Sequence, residues 1–287
     1  MFKISKLVII VAIFNHFVNG SDWIYEEQTE WGNTFPECGG NQQSPISMTT
    51  DETVLNANYN IRLINYDNAI KDFDVMNTGH SIQFTYKGNI SKVPIVSGTV
   101  VDGQNYSLHQ IHFHWGQTNG KGSEHRIDGQ YFDMEVHLVH YNRVKYPTWD
   151  EAIQSNQGAL VLSSFLQVQG ASVPKLDSIV DMVNRLTDST DSITLPLNGK
   201  PFTARDLLPD HEIIDEVDIF RYVGSLTTPP CTEGVLWLVI NAFGAISEQQ
   251  MNVFRSVKDV QHNLMMGNNY RSLHPLNGRT LERFRVR

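Results

Sequence analysis

Six of the chain's 11 histidines (His109, His112, His114, His125, His137 and His140) fall within residues 109–140, where an even scatter over 287 residues would leave one or two. Residues 110–115 and 134–141 alternate with period two, the mark of a half-buried strand. A strand sends alternate side chains to one face, so His112 and His114 point together while Phe113 points away. Ideal pleating separates the two histidines by roughly 6.6–6.8 Å along the strand, close enough for both rings to reach one ion. Alone, this pair also fits surface histidines over a Phe core. His137 changes the balance, because in the second strand Glu135, His137 and Val139 share a face. Three neutral imidazoles with one open position is the zinc arrangement suited to activating water, as distinct from a closed structural site. With no thiolate nearby, a structural zinc or an iron–sulfur cluster is disfavoured.

Gln110 lies two residues before His112, and Glu135 two before His137, each on its histidine's face. An amide and an acid on the inner face of apolar strands are costly to bury without partners. Metal-bound histidines donate their second N–H to such groups, which supplies those partners. If the two faces were reversed, Gln110 and Glu135 would meet solvent, and so would Val139.

The rest of the chain reads as one unit. No repeat or linker interrupts residues 22–287. Residues 81–86 alternate, while 159–168 and 234–242 are apolar runs suited to strands buried on both faces. Helices are few. Pro174 opens one with an inner stripe of Leu176, Ile179, Val180, Val183 and Leu186. Ser247 and Gln250 form a capping box ahead of Met251, Phe254 and Val257. The expected class is mostly β, a single domain with peripheral helices.

The first 20 residues read as a secretory signal: Lys3 and Lys6, a short apolar run from Leu7 to Phe14, then a small-residue exit. That run falls well short of a membrane span, and Gly278–Arg287 offers no hydrophobic tail for an anchor. The expectation is a secreted, unanchored domain over residues 21–287, monomeric by default. Cys38 and Cys231, the two thiols of the chain, fit one disulfide in that compartment. Asn89 and Asn105 begin tripeptides that can carry glycans outside the cell. With 22 basic against 31 acidic side chains, a net charge of −9 argues against nucleic acid as partner.

Taken together, Gln110-Ile-His-Phe-His-Trp-Gly116, Gly122-Ser-Glu-His125, Glu135-Val-His-Leu-Val-His140 and Gly224-Ser-Leu-Thr-Thr-Pro-Pro230 resemble the α-class carbonic anhydrases. Trp23, Tyr25, Trp31 and Gln43-Ser-Pro-Ile46 match as well, as does Asn269-Tyr-Arg-Ser-Leu-His-Pro-Leu-Asn-Gly278. The likeness spans nearly the whole mature chain; Glu26–Glu30 departs from it, lacking the Gly-Pro often found before the second Trp. It implies a large, twisted, mainly antiparallel central sheet with the metal in a funnel from one face. It also implies reversible hydration of CO2 to bicarbonate by zinc-bound hydroxide, with Zn2+ on His112, His114 and His137 and some esterase activity.

Further roles follow from the same resemblance. Thr227 is the gatekeeper whose hydroxyl accepts the hydroxide proton in a hydrogen bond and donates its own to Glu124, and Thr228 adjoins the substrate. Val139, Val161, Leu226, Val235 and Trp237 form the apolar wall for CO2. His80 is the proton shuttle, and Cys38–Cys231 is the disulfide of extracellular members. The rival reading is a non-catalytic binding or matrix protein on the same scaffold. Such relatives typically lack a zinc histidine, and all three are present here.

Overall fold

The structure, a computed structural model, describes residues 23–56, 59–188, 191–194, 201–210, 217–259 and 265–285. The expected signal segment, residues 1–20, lies outside the described residues. The strands are β1 (Ser47–Met48), β2 (Leu55–Asn56), β3 (Arg62–Ile64), β4 (Phe73–Asn77), β5 (Ile82–Tyr86), β6 (Ile95–Ser97) and β7 (Tyr106–Trp115). They continue with β8 (Arg126–Ile127), β9 (Met134–Tyr141), β10 (Ala159–Val168), β11 (Ser192–Thr194), β12 (Asp218–Ser225), β13 (Glu233–Ile246) and β14 (Glu282–Arg285). The helices are α1 (Trp31–Thr34), α2 (Trp149–Ile153), α3 (Asp177–Val183) and α4 (Glu248–Arg255).

One large sheet runs β11-β4-β5-β7-β9-β10-β13-β12-β14-β2, with β6 joining β7 to β3 beside that path; β1 and β8 pair separately. Its ladders are antiparallel except β10–β13 and β14–β2. The mostly β, single-domain architecture expected from the sequence is therefore the one observed. Position in the sheet explains the hydropathy of the middle strands. All eight residues of β9 are buried, because this strand lies between β7 and β10 with both faces covered.

Those faces carry different cores. On one, Ile111, Phe113, Val136, Leu138, Leu160, Leu162, Leu236 and Leu238 join a large cluster that α3 and α4 also seal, through Ile179, Val183, Met251 and Phe254. On the other, Val139, Val161, Phe165, Val235, Trp237 and Val239 pack in a second cluster. Period-two alternation sorts the strands between the two. The helix expected after Pro174 begins as a 3-10 turn over Pro174–Leu176 and continues as α3. The capping box at Ser247 and Gln250 is formed in full at the start of α4.

One feature of β7 was not expected. The strand begins at Tyr106, and its register against β9 shifts between Leu108 and Gln110, leaving His109 as an extra residue. This bulge lets Leu108 and Ile111, three positions apart, both enter the same core. His109 instead stacks on Trp149, with ring centroids 4.6 Å apart.

Candidate metal centre

Register across three strands assembles the site. His112 in β7 lies opposite His137 in β9, which lies opposite Ser163 in β10. In the next row Gln110, Val139, Val161 and Trp237 face one another across β7, β9, β10 and β13. Three ring nitrogens converge there: His137 Nδ1 is 3.0 Å from His114 Nε2 and 3.2 Å from His112 Nε2. Among the described residues no fourth His, Cys, Asp or Glu joins this group.

The outer nitrogen of each ring is already committed. His112 Nδ1 faces Gln110 Oε1 at 2.9 Å, His114 Nδ1 faces the Asn269 carbonyl at 2.8 Å, and His137 Nε2 faces Glu135 Oε1 at 2.8 Å. A carbonyl and a carboxylate only accept, so these outer nitrogens are the protonated ones. The inner three then present lone pairs to one another with no proton between them. Such an arrangement is repulsive unless a cation occupies the centre, and the donor set fits zinc. Tetrahedral zinc with Zn–N bonds of 2.0–2.1 Å spaces its nitrogens by about 3.3 Å, close to the separations found. Burial depresses the pKa of all three imidazoles, His114 to about 3, which keeps them in the neutral form that binds metal.

Glu135 organises the surroundings. It is fully buried, so the alternative in which it and Val139 face solvent does not occur. Its Oε1 accepts from His137 Nε2, from His125 Nδ1 at 2.7 Å and from Ser163 Oγ at 2.6 Å; Oε2 accepts from the backbone N–H of Glu124 and His125, both 2.8 Å. Burial pushes its pKa up, but the imidazole N–H groups of His125 and His137 directed at it outweigh that and hold it well below the usual carboxylate range. His125 continues the chain, with Nε2 accepting from Tyr222 Oη at 2.7 Å and Tyr222 Oη 2.8 Å from Ser44 Oγ. Gly224 matters here: a Cβ at this position would collide with Ser44 Oγ.

Glu124 is also fully buried, with Oε1 accepting from the Arg271 N–H at 2.8 Å and 3.4 Å from His114 Nδ1. Burial, then the charge of Glu135, push its pKa well up; the Thr227 hydroxyl and Arg271 pull against them. Thr227 thus lies against this carboxyl, although no well-aligned hydrogen bond closes on Glu124 Oε2. Arg271, 2% exposed, also holds the Gln43 side chain and the carbonyls of Ser44 and Cys38.

The five apolar residues singled out in the sequence come together. Val139, Val161, Val235 and Trp237 are buried in one cluster with Leu226 packed against it, and the Trp237 ring lies 4.9 Å from that of His137. Thr228 is half-buried in the following turn, its carbonyl accepting from the Cys231 N–H at 2.9 Å. Cys38 and Cys231 are joined in a disulfide across 193 positions, fastening the N-terminal arm to the loop that carries Thr227. Asn89 and Asn105 are both exposed. His80 follows a turn, but its ring stacks on Trp23 at 3.7 Å and its residue is only 9% exposed.

Several participants had no assigned role from sequence: His125, Ser163, Tyr222, Ser44, Arg271 and the Asn269 carbonyl. His125 carried a signal, as the last residue of Gly122-Ser-Glu-His125. A backbone carbonyl 155 positions from the ring it orients carries none.

Residues 26–285 match the eukaryotic-type carbonic anhydrase family. The chain is 34% identical to human carbonic anhydrase 7 over 260 residues, covering 88% of this chain and 92% of that one. It is 33% identical to carbonic anhydrase 6 of Mus musculus over 287 residues (96% and 86%) and 32% identical to carbonic anhydrase-related protein of Rattus norvegicus over 271 (91% and 90%). With the family match spanning almost every described residue, the chain belongs to the eukaryotic-type carbonic anhydrases.

Proposed function

We propose that this protein is an active zinc carbonic anhydrase that hydrates CO2 reversibly to bicarbonate and a proton. The observation carrying this reading is the convergence of three inner lone pairs on His112, His114 and His137, with each outer nitrogen tied to an acceptor. These three would hold the ion, and Gln110, Glu135 and the Asn269 carbonyl fix the rings that hold it. When bound, the ion supplies the Lewis acidity that brings a coordinated water's pKa to about 7, the effect of which carbonic anhydrases are the type example.

The protein's own groups do the rest. A cation on the histidines favours the anionic form of Glu124, 3.4 Å from His114. Glu124 then accepts the Thr227 hydroxyl proton, leaving Thr227 lone pairs to accept from the attacking oxygen and fix its direction. Val139, Val161, Leu226, Val235 and Trp237 offer CO2 a wall where water competes weakly, and Thr228 borders the product. His80 carries the released proton as the imidazole at the family's shuttle position; burial lowers its pKa, while the Trp23 carbonyl and the charge of Asp259 pull it back up. Activated esters are a side substrate of the same site.

The likeness to a protein named carbonic anhydrase-related protein supports a second reading, a non-catalytic member of the family; the complete histidine set argues against it. For location, the N-terminal segment and the disulfide support export with residues 1–20 removed, a monomer being the default and Asn89 and Asn105 the glycan sites. Stopped-flow CO2 hydration with zinc quantified in the same sample tests the activity. A rate well above the uncatalysed one, lost on His114→Ala, is expected; a zinc-loaded protein without that rate makes the chain a binding member.

A further inference from the structure

Residues 266–273 lie outside every helix and strand, yet two of their backbone groups serve the site. The Asn269 carbonyl faces His114 Nδ1 and, two residues on, the Arg271 N–H donates to Glu124 Oε1, each at 2.8 Å. A segment without a ladder of its own is placed by its side chains. Asn269, fully buried, secures one end: its Oδ1 accepts from the Trp115 N–H, and its Nδ2 donates to the carbonyls of Phe113 and His80. The guanidinium of Arg271 secures the other.

That guanidinium is built into the N-terminal arm. Nη1 donates to Gln43 Oε1 at 2.7 Å and to the Ser44 carbonyl at 2.9 Å, Nη2 donates to the Cys38 carbonyl at 3.1 Å, and Cζ lies 5.5 Å from the centroid of the Trp31 ring. The same arm grips the loop of Thr227 on both sides. Ser225 Oγ accepts from the Ser44 N–H at 2.9 Å, Gln43 Nε2 donates to the Cys231 carbonyl at 3.3 Å, and Cys38 is bonded to Cys231. Across from Thr227, Glu124 has Oε1 taken by the Arg271 N–H and Oε2 buried without an aligned partner. Arg271 is thus joined to the carboxyl through its backbone and to the seat of the hydroxyl through its side chain.

We propose that Arg271 is a positioning residue for the hydrogen bond from Thr227 to Glu124: its N–H fixes the acceptor, and its guanidinium fixes the arm on which the donor's loop is docked. The inference rests on the proposed coupling of Thr227 to Glu124. Three acceptors on three residues of the arm surround one rigid, planar fork, a geometry that the point charge of a lysine does not reproduce. Since that coupling aims the attacking oxygen, a misplacement of about 1 Å can cost on the order of a hundredfold in rate.

The test is Arg271→Lys in the full zinc-loaded chain, alone and combined with Thr227→Val. Alone it is expected to lower kcat/KM by about ten- to a hundredfold. With Thr227 already replaced, it should cost less than about twofold, whereas a merely structural loss would cost the same factor in either background. Zinc affinity, measured by competition with a chelator, should hold, because Asn269 keeps its carbonyl at His114 through its own amide. Gln43→Met removes one acceptor and leaves Arg271 in place; it should give the same pattern with a smaller loss, and it carries the test if the lysine variant does not fold. Equal losses in both backgrounds, an unchanged kcat/KM, or a fall in zinc affinity that matches the rate loss would overturn the role. If Thr227→Val alone leaves kcat/KM unchanged, the coupling of Thr227 to Glu124 fails, and the role of Arg271 with it.

Discussion

At Glu135 one carboxylate accepts from five donors, and two of these are imidazoles on either side of it. A glutamine there keeps one oxygen and turns an N–H2 toward donors, so part of the set is left facing a donor. Glu135→Gln is expected to weaken zinc binding by about 10–100-fold, measured by competition with a chelator; unchanged affinity would remove Glu135 from ring orientation. His140 shows the opposite use of a buried imidazole. It is fully buried, bonded to Tyr66 Oη at 2.8 Å, and burial lowers its pKa to about 3. The unfolded chain therefore takes up a proton on His140 near pH 6.5 that the folded chain refuses until about pH 3. Its stabilising contribution is complete above pH 6.5 and declines as pH falls toward 3, by up to about 1.4 kcal/mol per pH unit. Urea midpoints measured across that range should show a shallower slope in His140→Gln, and an equal slope would contradict this. Residues on a strand period were legible from sequence, as His112, His114 and His137 were. The roles of His125 and Asn269 were not, although the motifs that contain them were, because what they do depends on partners brought in by tertiary contact.

Among the elements, those set by local chemistry were the readable ones. Strands over 134–141 and 159–168 coincide with β9 and β10, and α4 starts at its capping box. Ser247→Ala removes the acceptor for the Gln250 N–H and is expected to cost about 1 kcal/mol in urea unfolding. Zinc affinity should not change, since α4 packs on the face of the sheet away from the histidines. A cost near zero would mean that the box is not contributing. The bulge at His109 and the parallel pairing of β10 with β13 were not legible. A bulge is set by which residues must reach the core on both sides of it. Pairing β10 with β13 depends on how the intervening chain, β11 and β12 included, returns to the sheet, and no local pattern records that.

For the molecule as a whole, two long-range ties hold the N-terminal arm in place: the Cys38–Cys231 disulfide, which fastens it to the loop bearing Thr227, and Arg271, which bridges Cys38, Gln43 and Ser44. Replacing both cysteines by serine is expected to lower stability by about 2–5 kcal/mol in denaturant unfolding. It should also lower CO2 turnover, because the loop bearing Thr227 loses its tether; unchanged stability and rate would show the bridge to be dispensable. The sheet, its two cores and this clasp all serve to present a ring of lone pairs at one point. Calorimetric titration of the metal-stripped protein with Zn2+ tests that most directly. One tight equivalent per chain, abolished by His114→Ala, is the predicted result; the absence of a tight site, or binding indifferent to that substitution, would contradict it.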